Sequence, residues 1–232
     1  VPVRVRRLLA RLRRGPIPAP SAGTPRRLNY GDLLIYVFAN LGRPASWPQI
    51  AIGLEQAARG NGSAIETDFQ QVRPAYESAL VSAVALQCAD KPPPRRGPQS
   101  WPTVIGRLTR ISRFSGPVNG WWLWAPCASW PVVSASRYTG PWNAATRTPV
   151  LVIGTRYDPQ TSFANARRAA RRLGNAVLLT HDGYGHTSGV DPSACVEHAI
   201  SAYLVNLVTP PKGTVCRSDR RPFDPHFGQP LP

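Results

Sequence analysis

The sequence contains no methionine, and its first residue is valine. That absence sets the expectation of a chain processed, or cut, from a longer product. Lysine is almost missing too: Lys91 and Lys212 are the only two. No stretch approaches the roughly 20 apolar residues of a membrane span, so no span is expected. The apolar runs near the start are short and broken by arginine, so no secretory signal is expected within the chain. There is no C-x-x-C pair, and no histidine stands at zinc-like spacing from a cysteine. There is also no G-x-S-x-G. Gly60-Asn61-Gly62-Ser63-Ala64 comes nearest, but it lacks the final glycine and follows a helical pattern rather than a strand.

What is present begins with charge. Lys and Arg number 28 against 12 Asp and Glu, for a formal net charge of +16. Such a balance suits a nucleic-acid or anionic-surface partner. The arginines are scattered, however, with one dense cluster at the N-terminus. That placement fits a genome rich in arginine, alanine and proline codons, and no nucleic-acid partner is expected. The hydrophobic fraction of 42% is enough for a core, while 26 prolines and 19 glycines predict long irregular connections. Cys88, Cys127, Cys195 and Cys216 make an even count without metal spacing. This suggests two disulfides and an oxidising compartment. Of the three pairings open to four cysteines, Cys88–Cys127 with Cys195–Cys216 is expected, because each bond closes a local loop. Buried free thiols in a reducing cell are the alternative.

Residues 1–28 read as a basic helix, Val3 to Arg14, and a proline-rich linker. Val5, Leu8, Leu9 and Leu12 share one face, and Pro16, Pro18 and Pro20 keep the following segment extended. The apolar stripe is expected to dock on the fold and leave the arginines solvated. Residues 29–148 read as a helical region. Two helices break at Arg43-Pro44, Gly60-Asn61-Gly62-Ser63 ends the second, and another helix covers Tyr76 to Leu86. The run from Lys91 to Pro98 is a breaker. Trp121, Trp122, Trp124 and Trp130 are expected in a core, or less favourably along a pocket.

Residues 149–216 change character. Val150-Leu151-Val152-Ile153-Gly154 and Ala176-Val177-Leu178-Leu179-Thr180 are apolar runs suited to strands buried on both faces of a parallel sheet. Helices are expected over Ser162 to Leu173 and Ser193 to Val208, the latter capped by Ser193. The order strand, helix, strand, helix indicates an α/β fold. Residues 217–232 read as an irregular tail.

Catalytic groups in open α/β sheets gather where the strands end. Asp158 follows the first strand, and His186 follows the second inside Asp182-Gly183-Tyr184-Gly185-His186-Thr187. A serine hydroxyl needs a base to take its proton. His186 suits that role, with Asp158 to fix its tautomer and stabilise its cation. Asp182, the rival acid, is so near His186 in sequence that it reads as loop-shaping. His181 flanks the same region, and His198 reads as covering the surface of the last helix.

The run from Pro149 to Pro159, with Gly183-Tyr184-Gly185-His186-Thr187, resembles the C-terminal domain of tripeptidyl-aminopeptidase-like hydrolases. So does the ending: Cys195, Ala202-Tyr203-Leu204, Pro210-Pro211 and Gly213-Thr214-Val215-Cys216. Cys88-Ala89-Asp90 and Cys127-Ala128-Ser129-Trp130-Pro131 resemble the join between cap and sheet, and the helices around Trp47-Pro48 resemble the cap. The resemblance implies the C-terminal portion of an α/β-hydrolase fold with a helical cap segment, lacking the N-terminal strands and nucleophile elbow. It implies a secreted or cell-envelope serine exopeptidase that acts on peptide N-termini, with Asp158 and His186 catalytic. The missing N-terminal half would be its partner. No metal or organic cofactor is implied. Glu55, Glu66, Asp68 and Glu77 are, by position alone, candidates to bind the substrate ammonium. Two other readings compete: a non-catalytic binding protein that kept the fold remnant, and, on charge alone, an anionic-surface or nucleic-acid binder.

Overall fold

The computed structural model describes residues 3–23, 26–90, 97–132 and 134–227. They divide into two compact units, Val1–Ala39 with Ile50–Tyr138, and Asn40–Gln49 with Thr139–Pro232.

In the first unit α1 (Val3–Arg14) is the basic helix. Leu8 and Leu12 are buried, and Leu9 packs on the cluster of Leu34, Phe38 and Val118. The proline-spaced segment pairs rather than standing alone: β1 (Ile17–Ala19) lies antiparallel to β2 (Arg26–Leu28). Ile17, Ala19 and Leu28 bury one face of this ladder. A two-stranded ribbon tolerates Pro18 because every strand in it is an edge. In α2 (Tyr30–Leu41) Asn29 Oδ1 accepts the Asp32 N–H at 2.9 Å, a side-chain cap on the first turn. A single turn at Pro44–Ser46 separates it from α3 (Trp47–Ala58), as the proline break predicts.

The helix expected at Tyr76 to Leu86 is part of one longer helix, α4 (Ser63–Asp90), which runs through Pro74. Pro74 removes one backbone bond there. The freed carbonyl is that of Gln70, which is half-buried, while the residues flanking Pro74 are exposed. An Arg73–Glu77 bond of 2.7 Å spans the same turn. α5 (Trp101–Ile111) and α6 (Ser115–Val118) follow, then a π-helical stretch at Asn119–Trp124. The Cys88–Cys127 disulfide joins the end of α4 to the turn Ala125–Ser129, among Val84, Leu80 and Trp130. Trp121 is exposed, not in a core, and among the described residues the buried tryptophan is Trp101. The side chains of residues 122–124 and the breaker residues 91–96 lie outside the described set.

The second unit holds β3 (Val150–Tyr157), α7 (Phe163–Arg172), β4 (Ala176–Tyr184), α8 (Ala194–Asn206) and β5 (Val215–Arg217). The strand order is β3-β4-β5, all parallel. Parallel neighbours require crossovers, and α7 and α8 supply them. β5 lies beyond what the sequence pattern indicates, since three residues give too short a run to show a period. It pairs with Thr180, His181 and Asp182, so β4 runs on to Tyr184 instead of stopping at Thr180.

Ser193 caps α8, accepting the Val196 N–H at 3.4 Å. Cys195–Cys216 ties α8 to β5, and the Tyr203 hydroxyl donates to the Pro149 carbonyl at 3.0 Å. The core is Leu179, Val196, Ala199 and Cys216, with Leu151, Ile153 and Ile200 against it. The strands are not buried on both faces as expected. Val150 to Ile153 are half-buried, and β4 alternates half-buried with buried residues. α7 buries no residue, and Leu204, Val205, Leu207 and Val208 are exposed. One face of this small sheet is covered far better than the other. Beyond β5 the chain has no helix or strand up to Phe227, yet it is anchored. Ala194 N–H donates to Asp219 at 2.6 Å, and Phe223 packs on Trp47.

Candidate active site

β3 and β4 are adjacent and parallel, so the loops leaving them emerge at one sheet edge. Asp158 follows β3 directly, and His186 lies just past β4. The structure brings them together. Nδ1 of His186 is 3.2 Å from Oδ2 and 3.3 Å from Oδ1 of Asp158. The Asp158 side chain is 3% exposed and the His186 side chain 38%. The acid is thus enclosed while the imidazole reaches the surface.

The β3–α7 loop folds around the carboxylate. Gln160 N–H and Thr161 N–H donate to Oδ1, each at 2.8 Å. The Thr161 hydroxyl donates to Oδ2 at 2.6 Å, and Thr187 N–H at 3.1 Å. Burial by itself raises the Asp158 pKa. The Thr161 hydroxyl and the three backbone donors outweigh it and hold the carboxyl below its ordinary value. An ionised carboxylate can only accept, so the proton of the bond to His186 sits on Nδ1. In the neutral imidazole Nε2 then keeps its lone pair, the tautomer a general base requires.

The histidine loop is braced by the segment Asn40–Gln49 of the same unit. His186 N–H donates to the Gly42 carbonyl at 2.7 Å. Gly185 has φ +85°, and a Cβ there would meet Pro44 Cδ at 2.6 Å and the Gly42 carbonyl oxygen at 2.8 Å. Thr187 also has positive φ, 70°, and its N–H is one of the donors to Asp158. Beneath the loops Tyr157 stacks on Tyr184 at 5.2 Å, and Trp47 meets Tyr184 edge-on at 5.9 Å. Thr161 and the Gly42–Pro44 brace escape the sequence reading. The spacing Asp158-Pro159-Gln160-Thr161, an aspartate capping its own turn, is the one local signal for Thr161. Gly42 has none.

The remaining candidates have other partners. Asp182 is in β4, not in a loop, and takes Arg156 Nε at 2.8 Å. His181 is fully buried between Thr155 Oγ1 at 3.4 Å and Asp191 Oδ2 at 3.5 Å. Burial holds its imidazole below the usual range, against the opposing carboxylates of Asp191, Asp182 and Asp219. His198 is exposed on α8. Ser63 opens α4 nearly buried, and its Oγ accepts the Ser21 N–H at 3.1 Å.

The four acids proposed from position are all in the first unit. Glu55 pairs with Arg4 and Arg59, and Glu77 with Arg73. Asp68 accepts the Tyr36 hydroxyl at 2.8 Å. Glu66 is buried, takes Gln70 Nε2 at 2.7 Å and lies 3.6 Å from Arg26. Among the described residues, no cluster of three or more His, Cys, Asp or Glu side chains could hold a metal. No helix among them is long and apolar enough to cross a membrane.

Comparison with known proteins finds hydrolases similar to this chain. Residues 115–216 match the family described as TAP-like protein. A carboxylesterase B of Mycobacterium tuberculosis is 30% identical over 200 residues, 83% of this chain and 38% of that protein. The serine protease Hip1 of the same organism is 29% identical over 207 residues, with the same shares. A tripeptidyl aminopeptidase of Streptomyces lividans is 27% identical over 147 residues, 60% of this chain and 25% of that protein. The chain therefore spans well under half the length of these relatives. Residues 115–216 are a TAP-like domain of the α/β-hydrolase kind, in a chain homologous to hydrolases that include a carboxylesterase, a serine protease and a tripeptidyl aminopeptidase.

Proposed function

We propose that this chain is the C-terminal part of an exported serine hydrolase that releases short peptides or residues from peptide N-termini. In it Asp158 and His186 are the catalytic acid and base, and the nucleophilic serine lies in a part of the protein outside this chain. The observation that carries the reading is the enclosed Asp158 carboxylate on Nδ1 of a half-exposed His186, at the ends of two adjacent parallel strands. The half-buried edge strand β3 and the exposed apolar end of α8 support a sheet that continues beyond this chain. The two disulfides suit an oxidising compartment. The serine protease and tripeptidyl aminopeptidase among the relatives support peptide substrates, and the carboxylesterase supports an ester as the second substrate to assay.

The test is His186→Ala in the whole hydrolase, assayed on a peptidyl anilide with a free N-terminus and on an ester. Loss of about 10³-fold or more in kcat on both substrates is expected for removal of the base. Unchanged turnover, with the variant folded, would remove His186 from the mechanism and leave a binding role for the fold.

A further inference from the structure

The first unit carries a concave feature that includes neither member of the acid–base pair. Arg4, Arg7, Arg11 and Arg14 are spaced three, four and three residues apart along α1, which places them in one stripe. The stripe is about 15 Å long at the rise of an α-helix. Facing it are Glu55 of α3 and Arg59 just past its end, and the groove between has a volume of ≈ 580 Å³. Glu55 is the one acid in the lining, and it already holds Arg4 at 3.1 Å and Arg59 at 2.9 Å. Among the described residues, Arg7, Arg11 and Arg14 have no carboxylate partner. The Arg11 guanidinium lies over Gly60, where a Cβ would meet it at 3.3 Å. Buried Leu8 and Leu12 dock the helix, so the backbone that carries the row of arginines is fixed before any ligand arrives.

Five guanidinium groups facing one shared carboxylate leave a strong positive field in a concave space. A single carboxylate ligand would only repeat what Glu55 does. Phosphoryl oxygens carry more charge and accept paired bonds from the planar fork of arginine. A row of this length suits several such groups in line. We propose that the α1–α3 groove binds clustered phosphoryl groups.

The probes are sodium tripolyphosphate, followed by calorimetry, and phosphatidylglycerol vesicles, followed by co-sedimentation with phosphatidylcholine vesicles as blank. Both use the whole protein that contains this chain. The double variant Arg7→Gln/Arg11→Gln removes two groove charges, and glutamine keeps helix propensity close to that of arginine. The double variant Arg167→Gln/Arg171→Gln removes the same charge from α7. Affinity for tripolyphosphate is expected to fall about tenfold or more in the groove variant and less than about twofold in the α7 variant, with melting temperatures unchanged. The same pattern with vesicles alone assigns the phosphoryl groups to lipid headgroups; with tripolyphosphate alone, to a soluble ligand. Equal losses in both variants would overturn the proposal in favour of unspecific attraction to a basic chain. Absence of binding to either probe would overturn it as well.

Discussion

Replacing Asp158 by asparagine isolates the carboxylate's contribution, because the side chain keeps its shape and loses its charge. The native carboxylate accepts four bonds from Gln160, Thr161 and Thr187 besides the one from His186. An amide offers one oxygen for those donors, so its NH₂ replaces Oδ1, against the Gln160 and Thr161 N–H groups, or Oδ2, against the Thr187 N–H and the imidazole. The first opposes two backbone donors and the second one, which favours the second. Facing His186 it can only donate, which selects the imidazole with its lone pair on Nδ1 and its proton on Nε2. That tautomer cannot take a proton from a nucleophile.

On the proposed reading, kcat of the whole hydrolase falls about 10⁴-fold, or about 5.5 kcal/mol in the barrier. Steady-state hydrolysis of a peptidyl anilide measures it, with circular dichroism to show the fold intact. A folded Asp158→Asn enzyme within about tenfold of the parent would refute the tautomer argument, since a positioned base contributes more than that. A second readout is independent of turnover. The folded pKa of Asp158 lies below the ordinary carboxylate value. The ionised group therefore stabilises the fold above that ordinary value, and the contribution is lost as pH falls toward the lowered one. The asparagine variant does not titrate there, so its urea midpoint is flatter over that acid window than the parent's.

Two further predictions concern the same unit. The Cys195–Cys216 bond closes a sequence separation of 21 residues, and changing both cysteines to alanine should cost about 3 kcal/mol by the chain-entropy relation, read as a lower urea midpoint. An unchanged midpoint would mean that the bond constrains nothing the fold does not already hold. His181 is buried with its folded pKa lowered, so below about pH 6.5 the unfolded chain takes up a proton that the folded chain resists, and stability falls. Urea midpoints at pH 7.5 and about pH 5 should differ more for the parent than for His181→Gln; equal differences would place the acid sensitivity elsewhere.

The strands and helices of the second unit were legible because their patterns are local. Val150 to Gly154 and Ala176 to Thr180 announce themselves as apolar runs, and Ser193 as a cap. The approach of Asp158 to His186 was legible for a related reason, as two loops after adjacent parallel strands must open together. What escaped was non-local or too short. β5 is three residues long and exists through its pairing with β4. The Gly42 carbonyl under His186 joins residues far apart in sequence, and no periodicity records such a bond. Half-burial of β3 depends on what covers the sheet, which a strand's own residues do not state. The exposed Trp121 is a similar case: a run of tryptophans does not state which face of a helical turn is covered.

The residues that position the acid and the base all belong to one unit: β3, β4, the Thr161 turn and the brace at Gly42. Their geometry therefore needs no nucleophile to hold it. The sheet is less self-sufficient. β4 has a neighbour on each side, and β5 offers only three residues at the far edge. β3, eight residues long, presents the long edge and is half-buried along its apolar run. On the proposed reading, further strands therefore add beside β3, the strand whose end carries Asp158. A nucleophile at the end of such strands would meet the exposed side of the His186 ring at the edge where both loops open. On the same reading, the acid–base pair is held within a chain that spans 38% of the length of two of its relatives, and the group it would activate comes from beside β3.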